Sequence, residues 1–365
     1  MKKLSRLILL FLVVLLINTA YSAGAEKALW SFSYFEEDDF FFRPSDMDVD
    51  RALRLIYIAD SGNHRVVVFD FDGKFVRIIG QQGQGPAEFS RPTGLHVFDG
   101  GRLAVADVGN NRIQLFDRTG QFLRSINTKE VRVADLIVEG DLFYTIPSFG
   151  ASGFNLNMGS KEDSQPLIMV LDNEGSMVLE ITTSEFPEKH PFIRAVKHRV
   201  SLALSPQKKL FLSYFAANVI HVFDLKGEKD AEFDRPMPFH PIVPKLEEQK
   251  TVGGGKGSVI QMRATLDMVS RACHFGTDGM LYILTHSESY SKRSKSTKKP
   301  EDIPPSPMHF DVIDPNTHKL IRTISCDAGA QVFTVLDKNH LAYIYEDAEG
   351  EIFLKCVMWH RAGTG

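Results

Sequence analysis

Apolar residues recur at every second position in short runs along most of this chain, and turn residues punctuate the runs. Val66-Val67-Val68-Phe69 and Phe75-Val76-Arg77-Ile78-Ile79 are β-branched and aromatic and read as strands. Between such runs, Asp60-Ser61-Gly62-Asn63 and Asp107-Val108-Gly109-Asn110 place Gly and Asn where a hairpin needs positive φ. Asp70-Phe71-Asp72-Gly73 and Asp117-Arg118-Thr119-Gly120 mark the next hairpin. No helical i, i+3, i+4 pattern of useful length interrupts them. Arg91-Pro92-Thr93-Gly94-Leu95-His96-Val97 is a further strand, opened by Pro. The predicted unit is four antiparallel strands, a to d.

The unit repeats. Residues 57–79 and 104–126 are copies at an offset of 47, with 11 of 23 positions identical, from Ala59 matched to Ala106 through Ile79 matched to Ile126. A repeat at this period decides the fold before any other signal. Weaker copies follow. Leu167–Gly175, Val219–Gly227 and Phe310–Asn316 each read as a c–d hairpin, with a and b strands near Val133–Tyr144, Ser201–Tyr214 and Ala272–Thr285. A sixth unit begins at Gln331 and runs through His340–Tyr345 to Glu351–Trp359, one strand short. Ala28–Phe35 alternates and has no partner of its own. Pairing it with the last unit predicts a closed ring without an open edge. The expected fold is all-β: a six-bladed β-propeller of four-stranded antiparallel blades, the last closed by the N-terminal strand.

With this pattern the chain resembles an NHL-repeat six-bladed β-propeller over nearly all of its length. Gly80–Gly94 (GQQGQGPAEFSRPTG) is similar to the blade linker of secreted bacterial propellers of this type. Relatives of the fold include peptidyl-hydroxyglycine amidating lyase and sugar-lactone hydrolases, and fold alone does not choose among them. The resemblance places the zinc-binding His residues of the amidating lyases just after the Pro that opens strand a. The corresponding residues here are Ser45, Thr93, Arg132, Val200, Arg271 and Gln331, none of them His, so that activity does not carry over.

Lys2, Lys3 and Arg6 precede the apolar run Leu7–Ile17, and Ala23-Gly24-Ala25 offers a cleavage site. Residues 1–25 therefore read as a secretory signal peptide, and residues 26–365 as a single exported, periplasmic or extracellular propeller domain. The 365-residue chain carries a formal charge of -4. Cleavage removes three basic groups and no acids, leaving 39 basic against 46 acidic residues, or -7. An acidic surface argues against nucleic acid as a partner. Of the three cysteines, Cys273 reads as a small core residue, and Cys326 with Cys356 as a candidate bridge.

Two segments fall outside the repeat. Residues 234–268 carry Pro236, Pro238, Pro241 and Pro244, then Gly253-Gly254-Gly255-Lys256-Gly257, and read as a surface loop with a flexible linker. The Gly-Lys-Gly-Ser spacing is not that of a phosphate-binding loop. Residues 287–307 are rich in Ser, Lys and Pro. Lys292, Arg293, Lys295, Lys298 and Lys299 make them either a solvated loop or an electrostatic contact with an acidic partner or the cell envelope.

The a strands surround the channel of a propeller, so their polar residues are the site candidates. Counting back from strand b selects one residue per blade: Asp48, His96, Asp135, Ala203, His274 and Thr334. Asp48, His96, Asp135 and His274 at one level suit a divalent metal such as Zn²⁺ or Mn²⁺. The alternative is that they pack between blades or bond to neighbouring backbone. Arg132 and Arg271, at the channel mouth, suit a carboxylate or another anion. No GxSxG elbow or HExxH helix is present. The expected function is binding of a protein, peptide or glycan ligand on an end face by a monomeric module. The alternatives are a metal-dependent hydrolase or lyase at the channel mouth and an envelope scaffold.

Overall fold

The computed structural model describes residues 27–36, 39–129, 131–148, 166–182, 199–241, 245–252, 258–265, 267–294 and 303–359. The signal-peptide reading, on residues 1–25, lies outside them. Six four-stranded antiparallel sheets follow one another along the chain. Their inner strands are Pro44–Asp50, Pro92–Phe98, Val133–Glu139, Val200–Leu204, Ser270–Phe275 and Ala330–Val335. The order within each sheet is sequential, and the sixth takes Lys27–Phe32 as its outer strand, paired with Ile352–Met358. The protein is an all-β six-bladed propeller, closed where the unpaired N-terminal run predicts closure.

Blade-on-blade packing builds the core. Met47, Ile56, Ile58, Val67 and Phe69 of blade one cluster with Val332, Ala342, Ile344, Leu354 and Cys356 of blade six. Because each blade lies between two others, its central strands bury both faces; every residue of Leu55–Asp60 is buried. Period-two alternation is cleanest in outer strands such as Phe75–Ile79, where only one face is covered. Closure is anchored by Trp30. Its Nε1–H donates to the Phe71 carbonyl at 3.1 Å, and its ring lies over Gly73, where an added Cβ would come within 2.7 Å of the indole at a φ of +81°. Only Gly accepts both that backbone and that contact.

The two repeat copies build the same turn network. Asp60 accepts hydrogen bonds from the Phe42 N–H (2.8 Å), Asn63 Nδ2 (2.9 Å) and Arg65 Nε (2.9 Å). Asp107 accepts them from the Ser90 N–H (2.7 Å), Asn110 Nδ2 (2.7 Å) and Arg112 Nε (2.9 Å). The recurring Asp-x-Gly-Asn-x-Arg pattern thus clamps the b–c turn to the preceding inter-blade connection.

Three expectations are corrected. No disulfide joins Cys326 and Cys356: Cys326 is on the outer strand of blade five and Cys356 on a strand of blade six. Residues 234–268 are not simply loop: Lys245–Val252 and Ser258–Thr265 pair as an antiparallel hairpin with Lys245 opposite Thr265. The Pro and Gly content hid a pairing that backbone hydrogen bonds supply. Of the basic run at 292–299, Arg293 is 9% exposed and donates to the Pro304 carbonyl, and Lys292 pairs with Glu288. The remaining lysines lie outside the described residues.

Candidate functional site

The inner strands enclose a cavity of about 910 Å³ that runs along the ring axis. Its wall includes Asp46, Asp48, Thr93, His96, Asp135, Ser201, Arg271 and His274. At the end where the inner strands begin, the wall carries Ser45, Ser148, Arg199 and Arg271; at the other end, Arg51, Lys208 and Thr277.

Asp48, His96 and His274 occupy equivalent registers, opposite Tyr57, Ala104 and Tyr282 of their b strands. Asp135 does not. In blades one, two, three, five and six the first inner-strand residue pairs, the next is skipped by a bulge, and pairing resumes. Asp135 is the residue at which pairing resumes, equivalent to Asp46; the blade-three equivalent of Asp48 is Ile137. Asp135 therefore sits one alternation nearer the strand starts, beside Asp46 across Gly94. A Cβ on Gly94 would come within 2.6 Å of the Asp135 Cα, so the two blades approach closely only because this residue is Gly.

The polar side chains of the inner strands lace adjacent blades together. Asp46 Oδ2 accepts the Leu95 N–H at 2.7 Å and Asp48 Oδ2 the Val97 N–H at 2.8 Å, both across the blade one–two seam. His96 Nδ1 accepts the Val138 N–H at 3.0 Å across the next. Ser201 Oγ accepts the Cys273 N–H at 2.8 Å between blades four and five. His274 packs edge-to-face on Phe333, ring centroids 5.0 Å apart. Burial holds the His96 imidazole below its usual pKa and brings that of His274 down to about 4, so both rings are neutral at pH 7.

The metal reading does not fit this arrangement. No group of three His, Cys, Asp or Glu side chains is placed to hold a metal among the described residues. Both Asp48 oxygens accept backbone N–H groups, Oδ1 that of Val49 at 2.8 Å, and His96 spends Nδ1 on the next blade. Asp48 and His96 bond instead to the backbone of the next blade.

The carboxylates are nonetheless held at a cost. Burial, with Asp135 close by, pushes the Asp46 carboxyl well above its usual range. Burial, and then the Asp48 charge, raises that of Asp135 to about 7 against the Leu136 N–H that stabilises its anion. Between about pH 4, the usual Asp value, and pH 7 the folded state keeps a proton that the unfolded chain releases. Stability from this group is full below that window and is lost as pH rises through it. Asp135→Asn, which keeps the Leu136 hydrogen bond, is expected to raise stability by about 2 kcal/mol at pH 8 and to bring little gain at pH 4. Urea titrations at the two pH values check this; equal gains at both would refute it.

The arginines are arranged differently from expectation. Arg132 precedes its strand, is exposed and lies outside the cavity wall. Arg271, half-buried at its blade's bulge, does line the cavity. So does Arg199, which like Arg132 comes just before its inner strand. Blade four has no bulge at its strand start, and no sequence signal marks that difference. Asp46 and Arg199 are the wall residues that counting along the chain missed.

The sequence model of a family described as a 6-bladed beta-propeller, DUF5128, matches residues 46–282. Comparison with curated proteins finds no match. Among solved structures, a DUF4221 family member from Bacteroides vulgatus is similar at 9% identity and TM-score 0.57, covering 92% of this chain and 98% of that one. A putative exported protein from Bacteroides fragilis is similar at 12% identity and TM-score 0.54, covering 94% and 98%. A gluconolactonase from Xanthomonas campestris is similar at 16% identity and TM-score 0.53, covering 91% and 89%. At these identities the likeness is one of fold, shared by an enzyme and by proteins with no stated activity. With most of its length matched by one family model, the chain belongs to the DUF5128 family of six-bladed β-propellers.

Proposed function

We propose that this protein is an exported binding module, an NHL-type propeller that seats a protein, peptide or glycan on the face where its inner strands begin. The observation that carries this reading is an asymmetry between the two faces. On one, every connection between described strands is short, two to five residues, as at 51–54, 140–141 and 276–280. The strands flanking residues 148–165, 183–199, 235–269 and 287–307 all end on the other. Long connections on a rigid scaffold are where recognition is commonly carried. The cavity mouth with Arg199 and Arg271 opens on that same face. Export is supported by the basic and apolar N-terminal pattern.

Peptide and glycan arrays probed with residues 26–365 test the reading. Binding is expected, and replacing residues 245–265 by a short Gly-Ser link is expected to weaken it several-fold without lowering the melting temperature. Unchanged affinity would remove this face from the proposal. Metal-dependent lactone hydrolysis by the purified protein would overturn the binding reading itself.

A further inference from the structure

We propose that the cavity mouth is a binding site for an acidic sugar, with Arg199 and Arg271 holding the carboxylate and the channel carboxylates accepting its hydroxyls. The proposal rests on the binding reading above and names the ligand class.

The two ends of the channel treat their cations differently. At the end where the inner strands stop, Arg51 Nη2 donates to the Val335 carbonyl at 2.8 Å, and Lys208 pairs with Glu139 at 2.5 Å. At the opposite mouth, Arg199 lies over the Phe215 ring at 4.5 Å, and neither it nor Arg271 forms an ion pair among the described residues. Arg271 Nε is sealed from solvent and has no hydrogen-bond partner among the described residues. The surroundings add positive charge: Arg199 and Arg293 both act against the charge on Arg271, and only Glu346 favours it. Glu346 is itself engaged, accepting from Gln331 Nε2 at 2.9 Å. Two partly desolvated guanidinium groups facing one cavity, with no ion pair among the described residues, are costly to the fold unless an anion completes them. A guanidinium fork matches a carboxylate in plane and spacing.

The remaining wall selects among carboxylates. Asp46 and Asp135 both line the cavity, although each Asp46 oxygen already accepts a backbone N–H, from Met47 and from Leu95. Asp135 Oδ1 takes the Leu136 N–H at 2.7 Å, while Oδ2 takes none of the hydrogen bonds found among the described residues. Ser45, Thr93, Ser148 and Ser201 add hydroxyls, and Leu202 and Val332 add apolar surface. A wall rich in acceptors behind a cationic mouth calls for a ligand with one carboxylate and several hydroxyl donors. A uronic acid has both, and apolar C–H faces besides. A peptide C-terminus has the carboxylate but few donors. A volume of about 910 Å³ lies at the upper end of small-ligand pockets, roughly 300–1,000 Å³, and admits one or two sugar units.

Titration calorimetry of the mature chain with digalacturonate, its dimethyl ester and galactobiose tests this. Digalacturonate is expected to bind, and the ester and the neutral disaccharide at least tenfold more weakly. Arg271→Met and Arg199→Met are expected to weaken digalacturonate at least tenfold, and Arg271→Lys, which keeps charge but not the fork, nearly as much. Arg124→Met, on an outer strand away from the cavity, is expected to change nothing. Melting curves of each variant separate lost binding from lost folding. Equal affinity for acid and ester, or full affinity in Arg271→Met, overturns the proposal. Binding only of peptides with a free C-terminal carboxylate overturns the sugar assignment. An array ligand indifferent to Arg271→Met leaves the binding module standing and removes this site.

Discussion

Removing residues 27–35 from the chain of residues 26–365 is expected to abolish the folded state or leave it open to association. The deletion strips the outer strand from blade six and exposes the edge of Ile352–Met358, in which Leu354 and Cys356 are fully buried. It also removes Trp30, Phe32 and Phe35, which pack with Phe69 and Phe75. Three large side chains at about 2–3 kcal/mol each approach the whole stability of an ordinary domain, about 5–15 kcal/mol. An open strand edge adds an aggregation site. Size-exclusion chromatography and urea unfolding check this. A monomer of near-parental stability would show that the ring does not depend on its N-terminal closure. Trp30→Ala alone is expected to cost about 3 kcal/mol.

Asp107→Ala is expected to destabilise the protein by about 3–5 kcal/mol, and Asp60→Ala by less. Both carboxylates are fully buried and accept the same three kinds of donor. Their arginines differ in what remains. Arg112 also donates to the carbonyls of Gln84, Gly85 and Glu88 but forms no second ion pair among the described residues. Arg65 keeps Asp39, bonded through Nη1 at 2.6 Å and Nη2 at 2.9 Å. Stranding a buried cation is the dominant cost, so the copy with a spare carboxylate tolerates the loss better. Urea denaturation of the two variants measures the difference, and equal losses would show that the counter-charge is not what distinguishes them. The asymmetry matters because the two copies share the same Asp-x-Gly-Asn-x-Arg turn; Asp39 enters only through the connection preceding blade one.

The inner-strand carboxylates invite the opposite reasoning. Asp46 and Asp135 are neighbours whose charges oppose each other, and burial raises both carboxyl pKa values. Groups that cost stability and have a simple neutral substitute mark the wall that a ligand would use. The hydrogen bonds from Asp46 and Asp48 to the next blade show that part of this polarity also joins the ring.

Much of the fold was legible along the chain because each propeller blade is a local unit. Hairpin turns are set by residues such as Gly73 and Asn110, whose effects reach only a few positions, and the repeat multiplies that signal. The lone N-terminal strand and the missing last strand implied each other, since an unpaired edge is costly. The candidate site was less legible. Pairing register is set between strands, and alternation along one strand does not reveal it. Asp135 was set level with Asp48, two residues from its true equivalent Asp46; Asp46 went unnoticed, and so did Arg199, which precedes an inner strand without a bulge at its start.

By itself the sequence determined the number of blades, their turns and the closure, because these follow from periodicity, from turn chemistry and from the strand left over at one end of the repeat and missing at the other. Only the tertiary structure decided which side chains share a space. Asp48 and His96 became ties between blades, and Arg199 and Arg271 became neighbours, through contacts between strands 42 to 72 residues apart. Such contacts depend on bulges and blade spacing, which alternation along a single strand does not encode.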